Sequence, residues 1–317
     1  MAGGKRGNGM NMIGKLRALF GGAQQDEQGV AWHMDRFIEI LEPAIFELPD
    51  YRSRLEPAAH HAHDYCTRLA TAVPGPYAVG HGNHGSDPLI SALFPQREDI
   101  GTAFGRSVEV RDRIHEFTAN GNAEVYALLG MRQRVSAAPR TNGEALPAGW
   151  SKPRFADHTV RSLDDSEDAV RQQFAAAAFD SLRHGFLNQV QNLRRCKKLM
   201  HSERELLREV ASDDDANGAD EAHAMLASDL SPGGLLDGLV AWLNAPQAHL
   251  RLEMGHDDAT VIMPHSDPAQ RGLQKLELPA LVGADRRRWP ICVIRFEREE
   301  ALAAVSRESV AHRYIVI

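Results

Sequence analysis

The fold is decided by one stretch, residues 166–210, which reads SEDAVRQQFAAAAFDSLRHGFLNQVQNLRRCKKLMHSERELLREV. It contains no proline and a single glycine, Gly185, so little in it opposes a helix. Five apolar residues recur at a stride of seven: Phe179, Phe186, Leu193, Met200 and Leu207. This spacing places them along one side of a helix, while the companion positions are too polar for a coiled coil. We expect one long helix over about 166–210 that packs on one side.

The preceding residues, 28–165, are predicted to be mainly helical. Apolar residues recur at steps of three and four, or their sums, from Trp32 to Phe46. A further helix is expected at Asp87-Pro88, because proline suits a first turn and aspartate accepts its unpaired N–H groups.

Within this part, residues 124–160 have a different pattern. Residues 124–135 are β-branched at both ends, and residues 154–160 can pair back with them across a Pro/Gly/Asn-rich stretch. This pattern predicts a long-looped β-hairpin, with a continuing helix as the alternative.

The long helix and a following helical hairpin are assigned to residues 166–245, where Ser231 is the expected cap of a helix that starts at Pro232. Residues 246–317 alternate in polarity and predict a small antiparallel or mixed β module. The predicted fold class is therefore α+β, predominantly helical in its N-terminal and central region and followed by this C-terminal module.

Composition restricts the class of protein without naming a function. The net charge is −7, and only six of the 36 basic residues are lysines. The three cysteines are far apart in the sequence, which favours reduced thiols over a disulfide framework. No run of apolar residues is long enough to span a membrane. We expect a cytoplasmic protein.

Residues 1–27 are predicted to be a basic, amphipathic tail. Four apolar residues share a helical face with two cations beside it: Ile13, Leu16, Leu19 and Phe20, with Lys15 and Arg17. One hypothesis is transient, peripheral contact with an anionic membrane surface. The alternatives are a frayed terminus, a helix docked on its own protein, or a true start at Met10 or Met12.

Histidines are concentrated between residues 60 and 87. His60, His63 and Asp64 fall on one face of a predicted helix, and His81 and His84 follow in a glycine-rich loop. Imidazole and carboxylate are ligands of Zn²⁺ and Fe²⁺, and an open position would activate water for hydrolysis. The alternative is that these histidines are solvated or hydrogen-bonded within the structure.

The loop between residues 80 and 85 also matches the G-x-G-x-x-G pattern of dinucleotide sites. The expected context is missing, because Tyr77 to Val79 is barely a strand and no βαβ unit follows. The motif is therefore interpreted as a loop.

Local basic stretches are candidates for nucleic-acid or nucleotide binding. Arg194, Arg195, Lys197 and Lys198 lie in the long helix, and residues 286–288 are all arginine. Charged helices of this kind commonly serve solubility, and the net negative charge disfavours general nucleic-acid binding.

The favoured function is a non-catalytic interaction, regulatory or scaffold protein whose partner is another protein. The first alternative is a metal-dependent hydrolase that uses the histidine cluster and Zn or Fe. The second is local nucleic-acid or nucleotide binding. No cofactor is expected outside the metal alternative.

Overall fold

The structure is a computed structural model that describes residues 27–118, 123–134, 154–210, 223–254, 260–264 and 273–313. It divides into two compact units. The helical unit comprises Met1–Cys66 and Ala176–Gln247, and the sheet unit comprises Thr67–Ala175 and Ala248–Ile317. Each unit thus combines segments that are distant in the sequence, whereas the predicted division at residues 27, 165 and 245 follows chain order.

The helices and strands are numbered in chain order. The helices are α1 (Glu27–Leu41), α2 (Tyr51–Thr71), α3 (Pro88–Leu93), α4 (Arg97–Arg106), α5 (Val108–Arg113), α6 (Glu167–Val210), α7 (223–229), α8 (Pro232–Asn244) and α9 (Arg298–Arg313). The strands are β1 (Tyr77–Ala78), β2 (Glu124–Arg134), β3 (Arg154–Asp164), β4 (Leu250–Glu253), β5 (Thr260–Pro264), β6 (Leu273–Glu277), β7 (Ala280–Gly283) and β8 (Arg288–Glu297).

The predicted α+β class and the long helix are confirmed. Helix α6 runs over 44 residues, as the absence of proline indicated. Two of the residues at a stride of seven, Phe179 and Phe186, are buried, while Leu193 and Met200 are half-buried. The packing of α6 therefore becomes looser toward its C-terminal part.

The helical unit has a core built from α1, α2, α6 and α8. In this core Phe186 packs edge-on against Trp242 of α8, with ring centroids 5.8 Å apart. The Trp242 indole N–H donates to the Leu182 carbonyl at 3.0 Å. Gly185 makes this contact close, because a β-carbon there would lie 3.0 Å from the Trp242 ring. This explains the one glycine of α6.

Arg183 is a buried charge in the same core, with only 8 % of its surface exposed. Its guanidinium pairs with Asp180 and lies against the rings of Phe37 and Phe179. Burial lowers the pKa of Arg183 to about 10, so the side chain stays charged at neutral pH and requires its carboxylate partner.

The sheet unit contains a mostly antiparallel sheet in the order β3-β2-β8-β7-β4, and β1 pairs in parallel with β8. Strands β5 and β6 form a separate antiparallel pair. Strand β2 pairs with β3, as the predicted hairpin requires, and also with β8. The C-terminal strands are therefore antiparallel to one another, as predicted, but β4, β7 and β8 share one sheet with the hairpin.

Helices of the sheet unit cover this sheet. Phe104 of α4 meets Phe296 of β8, with ring centroids 4.4 Å apart. Strand β3 is held by the N-terminal end of α5, where the Ser107 hydroxyl donates to the Val160 carbonyl at 2.9 Å. The Leu163 N–H donates to Glu109 at 2.9 Å. These bonds give partners to two backbone groups of β3, the strand at the edge of the sheet.

The two predicted helix caps are confirmed. The Asp87 carboxylate accepts from the Leu89 N–H at 2.8 Å at the start of α3. The Ser231 hydroxyl accepts from the Gly234 N–H at 3.1 Å at the start of α8. Each helix begins with the expected proline at its first turn.

Arg171, in the first turns of α6, caps the C-terminal end of α2. Its guanidinium donates to the carbonyl oxygens of Ala70 at 2.7 Å and Val73 at 2.8 Å. Glu167, one turn earlier, holds the other side of the guanidinium at 2.6 Å. The last carbonyls of a helix lack intrahelical partners; the guanidinium supplies a donor to that of Ala70 and also to Val73, two residues beyond the helix.

The chain leaves this cap through a close backbone contact with β8. The Val293 N–H donates to the Pro74 carbonyl at 2.8 Å. A β-carbon on the next residue, Gly75, would lie 2.1 Å from the Val293 carbonyl oxygen, and Gly75 has a φ of 121°. Only glycine fits this position, which brings the chain alongside β8 to form β1.

We predict that Arg171→Ala lowers the free energy of unfolding by about 2–3 kcal/mol, because it removes charge-assisted bonds to buried carbonyls. Arg171→Lys should recover part of this loss, since lysine keeps the charge but lacks the planar fork. Urea denaturation measures both. The matched control is Arg195→Ala, an exposed arginine of the same helix, which should change stability little. Equal stability of Arg171→Ala and the wild type would contradict the capping role.

A second prediction concerns His158 of β3. Its ring stacks on Phe94 at 4.5 Å, and its Nε2 donates to the Leu93 carbonyl at 2.8 Å. Burial lowers the pKa of His158 below its ordinary 6.5, although the bond to Leu93 and the charges of Asp99 and Asp157 act in the opposite direction.

Neutral His158 therefore contributes stability that is fully present above pH 6.5 and is lost as the pH falls toward the lower, folded-state pKa. The wild type should lose stability as the pH falls below 6.5 toward the folded-state pKa of His158, and His158→Gln should lose less. Urea titrations across this range measure the difference, with exposed His60→Gln as the control. Identical pH profiles of wild type and His158→Gln would show that His158 does not contribute.

Candidate interaction surface

One side of α6 is continuously exposed over residues 188–202. We call it the outer face of α6; its exposed residues are Asn188, Gln189, Gln191, Asn192, Arg195, Cys196, Lys198, Leu199 and Ser202. The opposite side carries the buried Val190 and the half-buried Leu193 and Lys197. At 3.6 residues per turn these two sets fall on opposite sides of the helix, so the outer face is free of core contacts.

The outer face lies in a stretch without carboxylates. No aspartate or glutamate occurs between Asp180 and Glu203. Arg195 and Lys198 therefore have no acidic residue three or four positions away on their own helix. Arg195 and Lys198, three residues apart, repel each other, as do Arg194 and Lys198, four apart; each such pair costs about 0.2–0.5 kcal/mol.

Of the four residues that were predicted to bind nucleic acid, Arg194 instead makes contacts that stabilise the fold. Its guanidinium donates to the Leu41 carbonyl at 2.8 Å and to the Glu42 carboxylate at 3.1 Å. It thus caps the C-terminal end of α1, as Arg171 caps that of α2. Lys197 is half-buried, whereas Arg195 and Lys198 are exposed. The structure therefore brings only part of the predicted set to the surface.

Three large apolar side chains of the helical unit are unusually exposed. Leu199 has 70 % of its surface accessible, Met225 on α7 has 71 %, and Ile40 on α1 has 63 %. Leu199 lies between Arg195, one turn earlier, and Ser202. The exposure of Leu199 was not predicted from the sequence, because the prediction rested on the apolar residues that recur at a stride of seven. Leu199 is not one of those residues, and this was the signal in the sequence that it lies off the packed side of the helix.

The five predicted metal ligands are held in different ways. In the helical unit, His60 and Asp64 are exposed, and the His63 ring meets Phe179 edge-on at 5.9 Å. In the sheet unit, His84 Nε2 contacts the Phe94 carbonyl at 2.8 Å, and His81 Nδ1 contacts Glu300. Among the residues that the structure describes, no three histidine, cysteine, aspartate or glutamate side chains are grouped to hold a metal ion.

The contact between His81 and Glu300 could not be predicted from the sequence, because the two residues are 219 positions apart. The Glu300 carboxylate also accepts from the backbone N–H of His81 at 2.8 Å. It thereby holds the loop after β1 against α9. In this loop residues 81–86 form turns that are followed by the short helix α3, so the glycine motif lies in a loop, as interpreted.

The arginines of residues 286–288 follow the turn between β7 and β8. Arg286 has a φ of 57°, and Arg287 and Arg288 are paired with Asp285 and Glu253 respectively. The two pairings reduce the positive charge at this turn.

The two buried cysteines and the cavity in the helical unit offer little reactivity. Burial raises the pKa of the Cys66 and Cys292 thiols to about 12, so both are protonated at neutral pH and are poor nucleophiles. A cavity between α1 and α2, lined by Asp35, Tyr51 and Arg52 among others, has a volume of about 20 Å³. This is room for about one water molecule.

The predicted membrane-contact residues, 13–20, lie outside the described residues, so their contact stays a prediction. Within the part of the chain that the structure describes, no helix combines the length and the apolar character needed to cross a bilayer.

Comparison with known proteins identifies no relative of this chain. No protein-family model, no curated protein and no solved structure matches this chain. The feature that stands apart from the packing of either unit is the outer face of α6, an exposed helix surface that contains Leu199 and has no carboxylate over residues 188–202.

Proposed function

We propose that this chain is a non-catalytic interaction protein that binds another protein through the outer face of α6. The observation that carries the proposal is the 70 % exposure of Leu199 on a helix face without core contacts. An isolated exposed leucine is common on protein surfaces. Among the described residues, the neighbours of the leucine on this face include the polar or cationic Arg195, Lys198 and Ser202, as around an apolar anchor within a polar rim.

The outer face of α6 is formed before a partner protein binds, and this favours binding. On the side opposite the outer face Val190 is buried and Arg194 donates to the Leu41 carbonyl, so the outer face belongs to a helix that is packed on its other side before a partner arrives. A preformed surface loses less conformational entropy on binding than a segment that must fold. An amphipathic partner helix or a groove could receive the i, i+3 and i+4 positions of such a face.

The chemistry of the two buried thiols and of two histidines accords with the same proposal. The two buried thiols are protonated at neutral pH, and His84 and His158 use ring nitrogens to contact backbone carbonyls. These groups stabilise the fold. Regulatory or scaffold action in the cytoplasm accords with three free cysteines.

A photo-crosslinking amino acid at position 199 tests the proposal in the protein's native cells. We expect a discrete adduct with one protein, identified by mass spectrometry. The matched control is the same amino acid at Met254, which is 63 % exposed in the sheet unit and should give no such adduct.

The identified partner should then bind the purified full-length chain. Leu199→Asp should weaken this binding by about tenfold or more, because it places a charge at the apolar anchor, whereas Met254→Asp should leave it unchanged. Adducts of the same protein from both positions, or binding that Leu199→Asp does not weaken, would overturn the proposal.

A further inference from the structure

We infer that the partner presents an acidic helix to the outer face of α6, with carboxylates opposite Arg195 and Lys198 and an apolar side chain against Leu199. This inference rests on the proposed function and adds the chemistry of the partner. It follows from three observations on the described residues. The exposed cations have no carboxylate partner, they lie beside Leu199, and the outer face of α6 has no aromatic side chain over residues 188–202.

The first observation is that the exposed cations lack acidic partners. Among the described residues, neither Arg195 nor Lys198 is within ion-pair distance of a carboxylate; Arg195 makes a 3.5 Å contact with the Asn192 amide. Arg194, by contrast, forms an ion pair with Glu42. Many exposed cations elsewhere in the chain are paired, for example Arg52 with Asp35 and Arg287 with Asp285. The positive charge of the outer face is therefore available to a partner.

The second observation is the spacing of the cations around Leu199. Arg195 lies one turn before Leu199 and roughly 6 Å from it along the helix axis. Lys198 is adjacent in sequence and therefore flanks Leu199 around the helix circumference. A facing helix with one apolar residue between carboxylates would match both the charge and the apolar contact. Partners with complementary charges gain mainly in association rate and specificity.

The third observation separates an acidic protein from a nucleic acid. A phosphate backbone would also attract Arg195 and Lys198, but it has no apolar group to cover Leu199. Single-stranded nucleic acids are held largely by stacking on aromatic side chains. Over residues 188–202 the outer face contains no phenylalanine, tyrosine or tryptophan. These features favour the acidic protein surface.

The test uses a labelled synthetic peptide of about 20 residues that forms an amphipathic helix with glutamate beside a leucine stripe. Fluorescence anisotropy with the full-length protein should show saturable binding that weakens as salt is raised. The double variant Arg195→Glu/Lys198→Glu should bind at least about tenfold more weakly. Leu199→Ala should also weaken peptide binding, and it should not change binding of polyglutamate, which has no apolar side chain.

Two controls make the measurement specific. Arg286→Glu/Arg287→Glu reverses two exposed arginines of the sheet unit and should leave peptide binding unchanged. A peptide with lysine in place of glutamate should bind the Arg195→Glu/Lys198→Glu variant better than the wild type. Circular dichroism should show that each variant keeps the helical content of the wild type, since all substituted side chains are exposed.

Equal weakening by both double variants would overturn the inference, because it would indicate a general charge effect. Tighter binding of a DNA or RNA duplex that depends on Arg195 and Lys198 but not on Leu199 would overturn it in favour of a nucleic-acid surface. If the crosslinked partner depends on Leu199 but not on Arg195 and Lys198, the acidic chemistry is wrong while the proposed function stands. If it depends on none of the three, both fail.

Discussion

The capping of α2 by Arg171 is the interaction on which the sheet unit most depends. A helix that ends inside a protein leaves carbonyl oxygens that must find donors. Arg171 supplies them to Ala70 and Val73, and Glu167 holds the guanidinium in place. Immediately after this cap, Pro74 and Gly75 bring the chain against Val293 and into β1. The first turns of α6 thus determine where α2 ends and where the next strand begins.

Helix α6 uses arginine for three different purposes. Arg171 and Arg194 cap other helices, Arg183 is buried between aromatic rings and beside Asp180, and Arg195 remains at the surface. The first two roles need a planar group with several donors, which lysine cannot provide. This accounts for part of the strong preference for arginine over lysine in the chain. It also shows that a basic stretch in a sequence need not be a binding site as a whole.

The same reasoning applies to the histidines. His84 and His158 contact the carbonyls of neighbouring backbone, His81 contacts Glu300, and His63 lies beside Phe179. Each of these contacts stabilises local structure. The outer face of α6 differs because its charges and its leucine have no such contacts with the described core, and this difference directs the proposed function toward a partner protein.

The elements whose signals are local could be predicted from the amino-acid sequence alone. The absence of proline and the recurring apolar residues predicted α6, and Asp87 and Ser231 predicted helix starts, because these signals act within a few residues. The β-branched stretches around residues 124 and 154 indicated the hairpin for the same reason. The basic stretch from Arg194 to Lys198 was also visible, although the side of the helix on which each cation lies was not assigned.

Contacts between distant residues depend on the folding of the whole chain. The pairing of β2 with β8, the contact of His81 with Glu300, and the caps made by Arg171 and Arg194 join residues that are far apart in the chain. No periodicity encodes such pairs, because they depend on how the elements pack. For the same reason the exposure of Leu199 and Arg195 could not be read from composition: a side chain is buried or free according to what covers it, and that is a property of the folded chain.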